Sequence, residues 1–156
     1  TGPLPLDMPS LYVTPAAVVY TKPIIVLIDE FSVSSADLFP ALMQDSGRAT
    51  LVGWRTAGMG GTNTTFLGSA FSEGSAGMTL GLMVRPKTQN SPWGPTRYIE
   101  NVGVAPDIEV EMSPKAVNDG HDPQLERAVQ EALRLLDANP PKTMTEPAPP
   151  VRAKRP

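Results

Sequence analysis

Residues 22–63, KPIIVLIDEFSVSSADLFPALMQDSGRATLVGWRTAGMGGTN, read as a buried strand, a serine-bearing turn, an amphipathic helix, a second buried strand and a glycine-rich loop. Together these make one βαβ-like unit. Pro23 to Ile28 is a continuous apolar run, too short for a free-standing helix and suited to a strand buried on both faces. Asp29 and Glu30 end it. Ser32, Ser34 and Ser35 then crowd together, and Asp37 stands three after Ser34, the Ser-x-x-Asp spacing of a helix start. Leu38, Phe39, Leu42 and Met43 recur at helical spacing, and Gly47 supplies the stop. Pro40 is a local conflict. With Ser34 as the cap it falls past the first turn and should weaken or bend the helix, whereas a later cap would tolerate it. Thr50 to Trp54 is the second strand.

A serine in that turn has two readings. As a cap, Ser34 only satisfies orphan helix amides, the role most serines before helices fill. As a nucleophile, it sits exposed at the sheet's C-terminal edge, where outward-pointing amides and the helix dipole favour developing negative charge, which is what acyl transfer needs. The spacing alone leaves both open.

The remaining residues cover this unit or approach it. With 156 residues, 40% of them hydrophobic, the chain can bury one modest core, and its 18 prolines point to a single domain with loose ends. A net charge of -3 gives no case for nucleic acid, and the one basic cluster, Arg152, Lys154 and Arg155, reads as a solvated tail. No apolar run approaches the roughly 20 residues of a membrane span. The lack of cysteine removes disulfides and thiolate metal sites and fits either redox compartment. A chain that opens at Thr1 in mid-motif reads as a fragment or processed piece with its true N-terminus elsewhere.

Residues 1–21, broken by Pro3, Pro5, Pro9 and Pro15, are expected to run extended, with Val18, Val19 and Tyr20 adding a short edge contact. The loop WRTAGMGGTN carries Gly58, Gly60 and Gly61 but neither a following GK[ST] nor a complete GxGxxG, so a substrate-lining loop is preferred to a phosphate cradle. Thr64 to Arg85 reads as a β-hairpin with a glycine-rich connection, and Lys87 to Arg97 as a loop whose Trp93 is a lid or packing piece rather than a substrate platform. Gly103, Pro106 and Asp107 turn the chain into a strand from Ile108 to Val110. Glu100 alone is an acid near a turn. Asp122 and Pro123 start a helix in which Leu125, Ala128, Val129, Ala132, Leu133 and Leu136 share a face that should dock on the core. Residues 139–156 form a proline-rich, polyproline-like tail, disordered or laid against a partner.

Three ordered blocks, DEFSVSSADLFPALMQDSGRATLVGWRTAG, YIENVGVAPDIEVE and DGHDPQLERAVQEAL, resemble the C-terminal half of the catalytic core of tail-specific serine proteases, nearest to the tricorn-like branch. The resemblance implies an α/β, crotonase-like (ClpP-like) βαβ core with a β-hairpin insertion and a C-terminal docking helix, occupying residues 22–138 and incomplete by itself. It implies a serine peptidase hydrolysing peptide bonds through an acyl-enzyme. Ser34 would be the nucleophile, the Ser35 backbone amide part of the oxyanion hole, and Gly58, Met59 and Gly60 would line the substrate. The C-terminal processing branch uses a lysine base, but Met59 stands in its place and Asn63 where a glutamine usually follows, so the Ser/Lys mechanism is excluded. The tricorn-like branch uses a histidine from an earlier segment, and Glu100 matches the glutamate that helps orient it. His121, the only histidine, falls where the family has an ordinary surface residue.

The resemblance further implies a peptide or protein substrate, a partner in the upstream half of the same protein, often with a PDZ domain, and room for a homo-oligomer. Neither cofactor nor metal is expected. The compartment stays open, with a periplasmic or extracytoplasmic one slightly favoured over the cytoplasm. The rival reading is a non-catalytic ligand-binding or scaffold module on the same fold, like the retinoid-carrier relatives; an apolar cavity without a base would favour it.

Overall fold

The structure, a computed structural model, describes residues 20–67, 71 and 73–140. The extended approach expected over 1–21 and the tail expected over 139–156 lie outside these except for Tyr20, Thr21, Asn139 and Pro140. Strand β1 (Ile25–Ile28), helix α1 (Ser35–Asp45) and strand β2 (Thr50–Gly53) form the βαβ unit, with β1 and β2 parallel from Ile25 opposite Thr50 to Ile28 opposite Gly53. After two antiparallel pairs described below, strand β7 (Ile108–Glu109) adds parallel to β2, giving the order β1-β2-β7. Gly53 makes the β1–β2 approach possible: its φ is 130°, and a Cβ there would sit 2.0 Å from the Ile28 carbonyl oxygen.

Ile28, Ala41, Leu51, Ile99 and Val104 form the core cluster. The first strand departs from the expectation of burial on both faces. Ile28 is 2% exposed, but Leu27 on the opposite face is 44% exposed. β1 pairs only with β2 among the described residues, and the face carrying Leu27, away from the core cluster around Ile28, is only part-covered. Pro40 lies inside α1 with Ser34 as the N-cap; it is buried and cannot donate to the Ala36 carbonyl, so the helix keeps it at the loss of one ladder bond.

β3 (Gly61–Leu67) pairs antiparallel with β4 (Ser75–Leu82), so Gly61, Thr62 and Asn63 belong to a strand rather than to the loop before it. The loop expected over Lys87–Arg97 is also shorter. Extended structure runs from Val84 to Gln89 as β5 and resumes over Thr96–Tyr98 as β6, paired antiparallel through an irregular register. Arg85 ties this pair to the helix layer. It is 7% exposed and grips Asp45 with two nitrogens (3.0 and 2.7 Å), while Gln44 and Gln89 accept its other N–H groups.

Two helices follow β7, α2 (Pro114–Asn118) capped by Ser113 and α3 (Pro123–Ala138) capped by Asp122, whose carboxylate accepts from Leu125 N at 2.9 Å. α3 packs on β1 and β2 through only part of the face expected, since Ala128 is buried and Ala132 and Leu136 are half-buried. Leu125, Val129 and Leu133 are 49%, 49% and 57% exposed, and the buried positions are Gln124, Ala128 and Glu131. Both polar members of the buried face are satisfied: Gln124 donates to the Val110 carbonyl (2.9 Å), and Glu131 accepts from Arg127 and Arg134. Hydrogen bonds to Arg134, and then to Arg127, outweigh the opposing effect of burial and hold the Glu131 carboxyl at about 2, below its ordinary 4.5.

Candidate active site

The turn between β1 and α1 separates its serines by what each is bonded to. Asp29 and Ser32 close a local turn, the Ser32 hydroxyl donating to Asp29 Oδ1 at 2.9 Å and Phe31 N reaching the same oxygen at 3.0 Å. Ser32 is therefore occupied in structure. Ser34 adopts φ 57°, ψ -111°, one of two non-glycine residues with positive φ among the described residues, the other being Asn101. Such a backbone costs on the order of 1–3 kcal/mol and persists only where its surroundings over-determine it.

What holds Ser34 is the reciprocal arm of a capping box, its N–H donating to Asp37 Oδ2 at 2.8 Å. The Asp37 amide donates to the Ser34 backbone carbonyl at 2.9 Å and faces the Ser34 side chain as the other arm of the box. The next amide, Ser35 N, is the first of the helix and has no acceptor among the described residues.

Asp37 is 0% exposed and reaches well beyond its own helix. Its Oδ1 accepts from Thr56 Oγ1 (2.5 Å) and Gly58 N (2.9 Å), and Oδ2 takes Met59 N (3.0 Å) beside Ser34 N. Thr56, itself buried, accepts from Val104 N through its hydroxyl (2.8 Å) and donates its amide to the Val104 carbonyl (3.1 Å). The glycine-rich loop is thus tied to the helix start on one side and to the strand entering β7 on the other.

Glu100 reaches the same loop from a second turn. Val102 N and Gly103 N both return to the Ile99 carbonyl, and Asn101 N donates to the Gly58 carbonyl at 2.7 Å. The two turns interlock so closely that a Cβ on Gly58 would stand 2.5 Å from Gly103 N, and one on Gly61 would stand 3.2 Å from a Glu100 carboxylate oxygen. Glu100 is half-buried, with no side-chain hydrogen bond among the described residues, at the edge of a cleft of about 400 Å³ that Leu82, Trp93, Tyr98 and Val102 also line. Of the three loop residues expected to line substrate, Gly58 and Gly60 are buried and Met59 is 60% exposed. His121 stands apart at the start of α3, its Nδ1 3.2 Å from Glu126 Oε1. Among the described residues no group of three His, Asp or Glu side chains is placed to hold a metal ion.

Sequence reading placed Ser34, Ser35, Met59 and Glu100 but gave Asp37 no role beyond helix capping, and it missed Thr56 and Asn101. A buried acid three residues after a turn serine, with a threonine two before a loop glycine, is the only trace these leave. Their partners lie about 20 to 48 positions away, beyond any local pattern.

Comparison with known proteins bears on the family and the fold. The family model for peptidase family S41 matches residues 7–110. An uncharacterized protein of Chlamydia muridarum is 45% identical over 93 residues, 58% of this chain and 14% of that protein. Tricorn protease homolog 1 of Streptomyces coelicolor is 32% identical over 126 residues, 78% of this chain and 11% of the homolog. Among solved structures, mature CPAF complexed with lactacystin superposes with a TM-score of 0.62 at 31% identity, over 79% of this chain and 22% of that one. The chain belongs to peptidase family S41, with a mixed α/β fold like that family's structures. It spans less than a quarter of the length of each of these relatives.

Proposed function

We propose that these residues carry the nucleophile side of a serine peptidase site built on a crotonase-like core. The observation that carries the reading is Ser34 itself: a non-glycine residue held at φ 57° where a parallel strand gives way to a helix, beside a Ser35 amide with no acceptor among the described residues. Membership of the S41 family supplies the reaction class. Ser34 Oγ attacks the carbonyl carbon of a peptide bond, the Ser35 amide stabilises the oxyanion, and the amine leaves to give an acyl-enzyme that water hydrolyses. The proton from Ser34 needs a base. Met59 has no basic nitrogen and His121 lies at the start of α3 beside Glu126, and the resemblance to tricorn-like proteases implies as base a histidine from the upstream half of the same protein, oriented in part by Glu100.

The residues from 20 to 140 then hold a nucleophile, one oxyanion donor and an orienting acid without the group that activates them. The test compares purified 156-residue chain with a form extended upstream, each against a panel of peptides. The extended form is expected to cleave, its Ser34→Ala variant to be inert, and the 156-residue chain to be silent. Cleavage by the short chain that vanishes in Ser34→Ala would overturn the assignment of the base. An extended form that binds apolar ligand and cleaves nothing would favour the carrier alternative.

A further inference from the structure

We infer that Asp37 is a positioning residue for Ser34: its side chain ties the nucleophile turn to the glycine-rich loop, beside the single backbone bond from Ala57 N to the Ser32 carbonyl (3.0 Å). This rests on the reading of Ser34 as nucleophile. Asp37 is wholly buried, yet a carboxylate offers about four lone-pair sites and the structure fills them with four donors: Ser34 N, Thr56 Oγ1, Gly58 N and Met59 N. An acid needed only to cap α1 would have been satisfied by the first of these. The other three come from residues 19 to 22 positions away, so Asp37 supplies three of the bonds that fix where the loop lies relative to the nucleophile.

Two consequences follow for the chemistry. Pulling Ser34 N inward holds the backbone at φ 57°, which in turn fixes the direction of the bond carrying Oγ. The amides of Gly58 and Met59 point at Asp37 and not at substrate, so the loop contributes no amide from these two residues to the oxyanion hole. Glu100 is registered through the same contact, because Asn101 N bonds the carbonyl of the residue whose amide Asp37 holds.

Asp37→Asn is nearly isosteric but turns one acceptor oxygen into an NH2 group facing two donors, so one of the two oxygen pairs must open. The experiment uses the complete protein. Reactive sites are counted by a fluorophosphonate, and acylation rate, kcat and KM are measured per reactive site. Asp37→Asn is expected to slow acylation and lower kcat by about ten- to hundred-fold, with KM nearly unchanged, as a displaced nucleophile should. A purely structural role would lower the number of reactive sites and leave the rate of each at the wild-type value, and that result would overturn the inference. If Asp37→Asn yields no folded protein, Thr56→Val decides on the same readout: a slower rate per site restored by Thr56→Ser supports the inference, and an unchanged rate overturns it. Ser34→Ala separates the two layers. Labelling that survives it removes the Ser34 reading and this inference together, whereas loss of labelling in Ser34→Ala beside a wild-type rate in Asp37→Asn removes this inference alone.

Discussion

Gly103→Ala is expected to be far more damaging than Gly47→Ala, although both glycines have nearly the same backbone. Their φ values are 72° and 66°, so either substitution meets the left-handed penalty of about 1 kcal/mol. The surroundings differ. Nothing lies within 4 Å of a Cβ at Gly47, while a Cβ at Gly103 would be 2.1 Å from the Thr56 carbonyl oxygen and 3.0 Å from its Oγ1. Relief requires Thr56 to withdraw, and Thr56 is held by bonds to Val104 N, the Val104 carbonyl and Asp37. Losing two or three of these at about 1 kcal/mol each brings the total for Gly103→Ala to about 3–4 kcal/mol. Urea unfolding followed by circular dichroism reads the difference. With a slope of about 1–3 kcal/mol per molar urea, the two midpoints should separate by about 0.7–3 M, Gly47→Ala lying about 0.3–1 M below wild type. Equal shifts would refute the argument, since they would mean that Thr56 and the loop it anchors can move without cost.

Three further outcomes are expected. Glu131 titrates at about 2 in the folded chain against an ordinary 4.5, so the unfolded state binds more protons between these values and the ion pairs stabilise fully above about 4.5, an effect lost as pH falls towards 2; the gap in urea midpoint between wild type and Glu131→Gln should shrink over that interval, and a gap independent of pH would contradict it. On α3, Val129→Ser should shift stability by less than about 0.5 kcal/mol and Ala128→Leu should cost about 1–3 kcal/mol; the reverse order would restore the apolar stripe as the docking face. In the complete protein, Glu100→Gln should keep the fold and cut turnover by about ten- to a thousand-fold, and unchanged turnover would return it to the solvated acids.

The βαβ unit and the Asp122–Pro123 helix start were legible because both are written in local spacing: an apolar run, a serine turn, an acid three residues on, a proline at the first helical position. The docked face of α3 was legible only through Ala128, Ala132 and Leu136. A helical stripe of Leu125, Val129 and Leu133 is the stronger local signal, but the contacts that seat the helix are Gln124 on the Val110 carbonyl and Glu131 shielded by two arginines, which only tertiary structure reveals. The site divides the same way. Ser34 could be proposed from its turn and Glu100 from the block that carries the resemblance, and Asp37 was half-seen because its local bond to Ser34 N imitates an ordinary cap while its other three partners are distant in sequence.

The central claim is that Ser34 is the reactive hydroxyl of this turn. A serine-directed phosphonate applied to the complete protein, with the adduct located by peptide mass spectrometry, tests it most directly. The account predicts one modified residue, Ser34, and no labelling after Ser34→Ala. An adduct on Ser32 or Ser35, or peptide cleavage that proceeds with Ser34 unmodified, would contradict it.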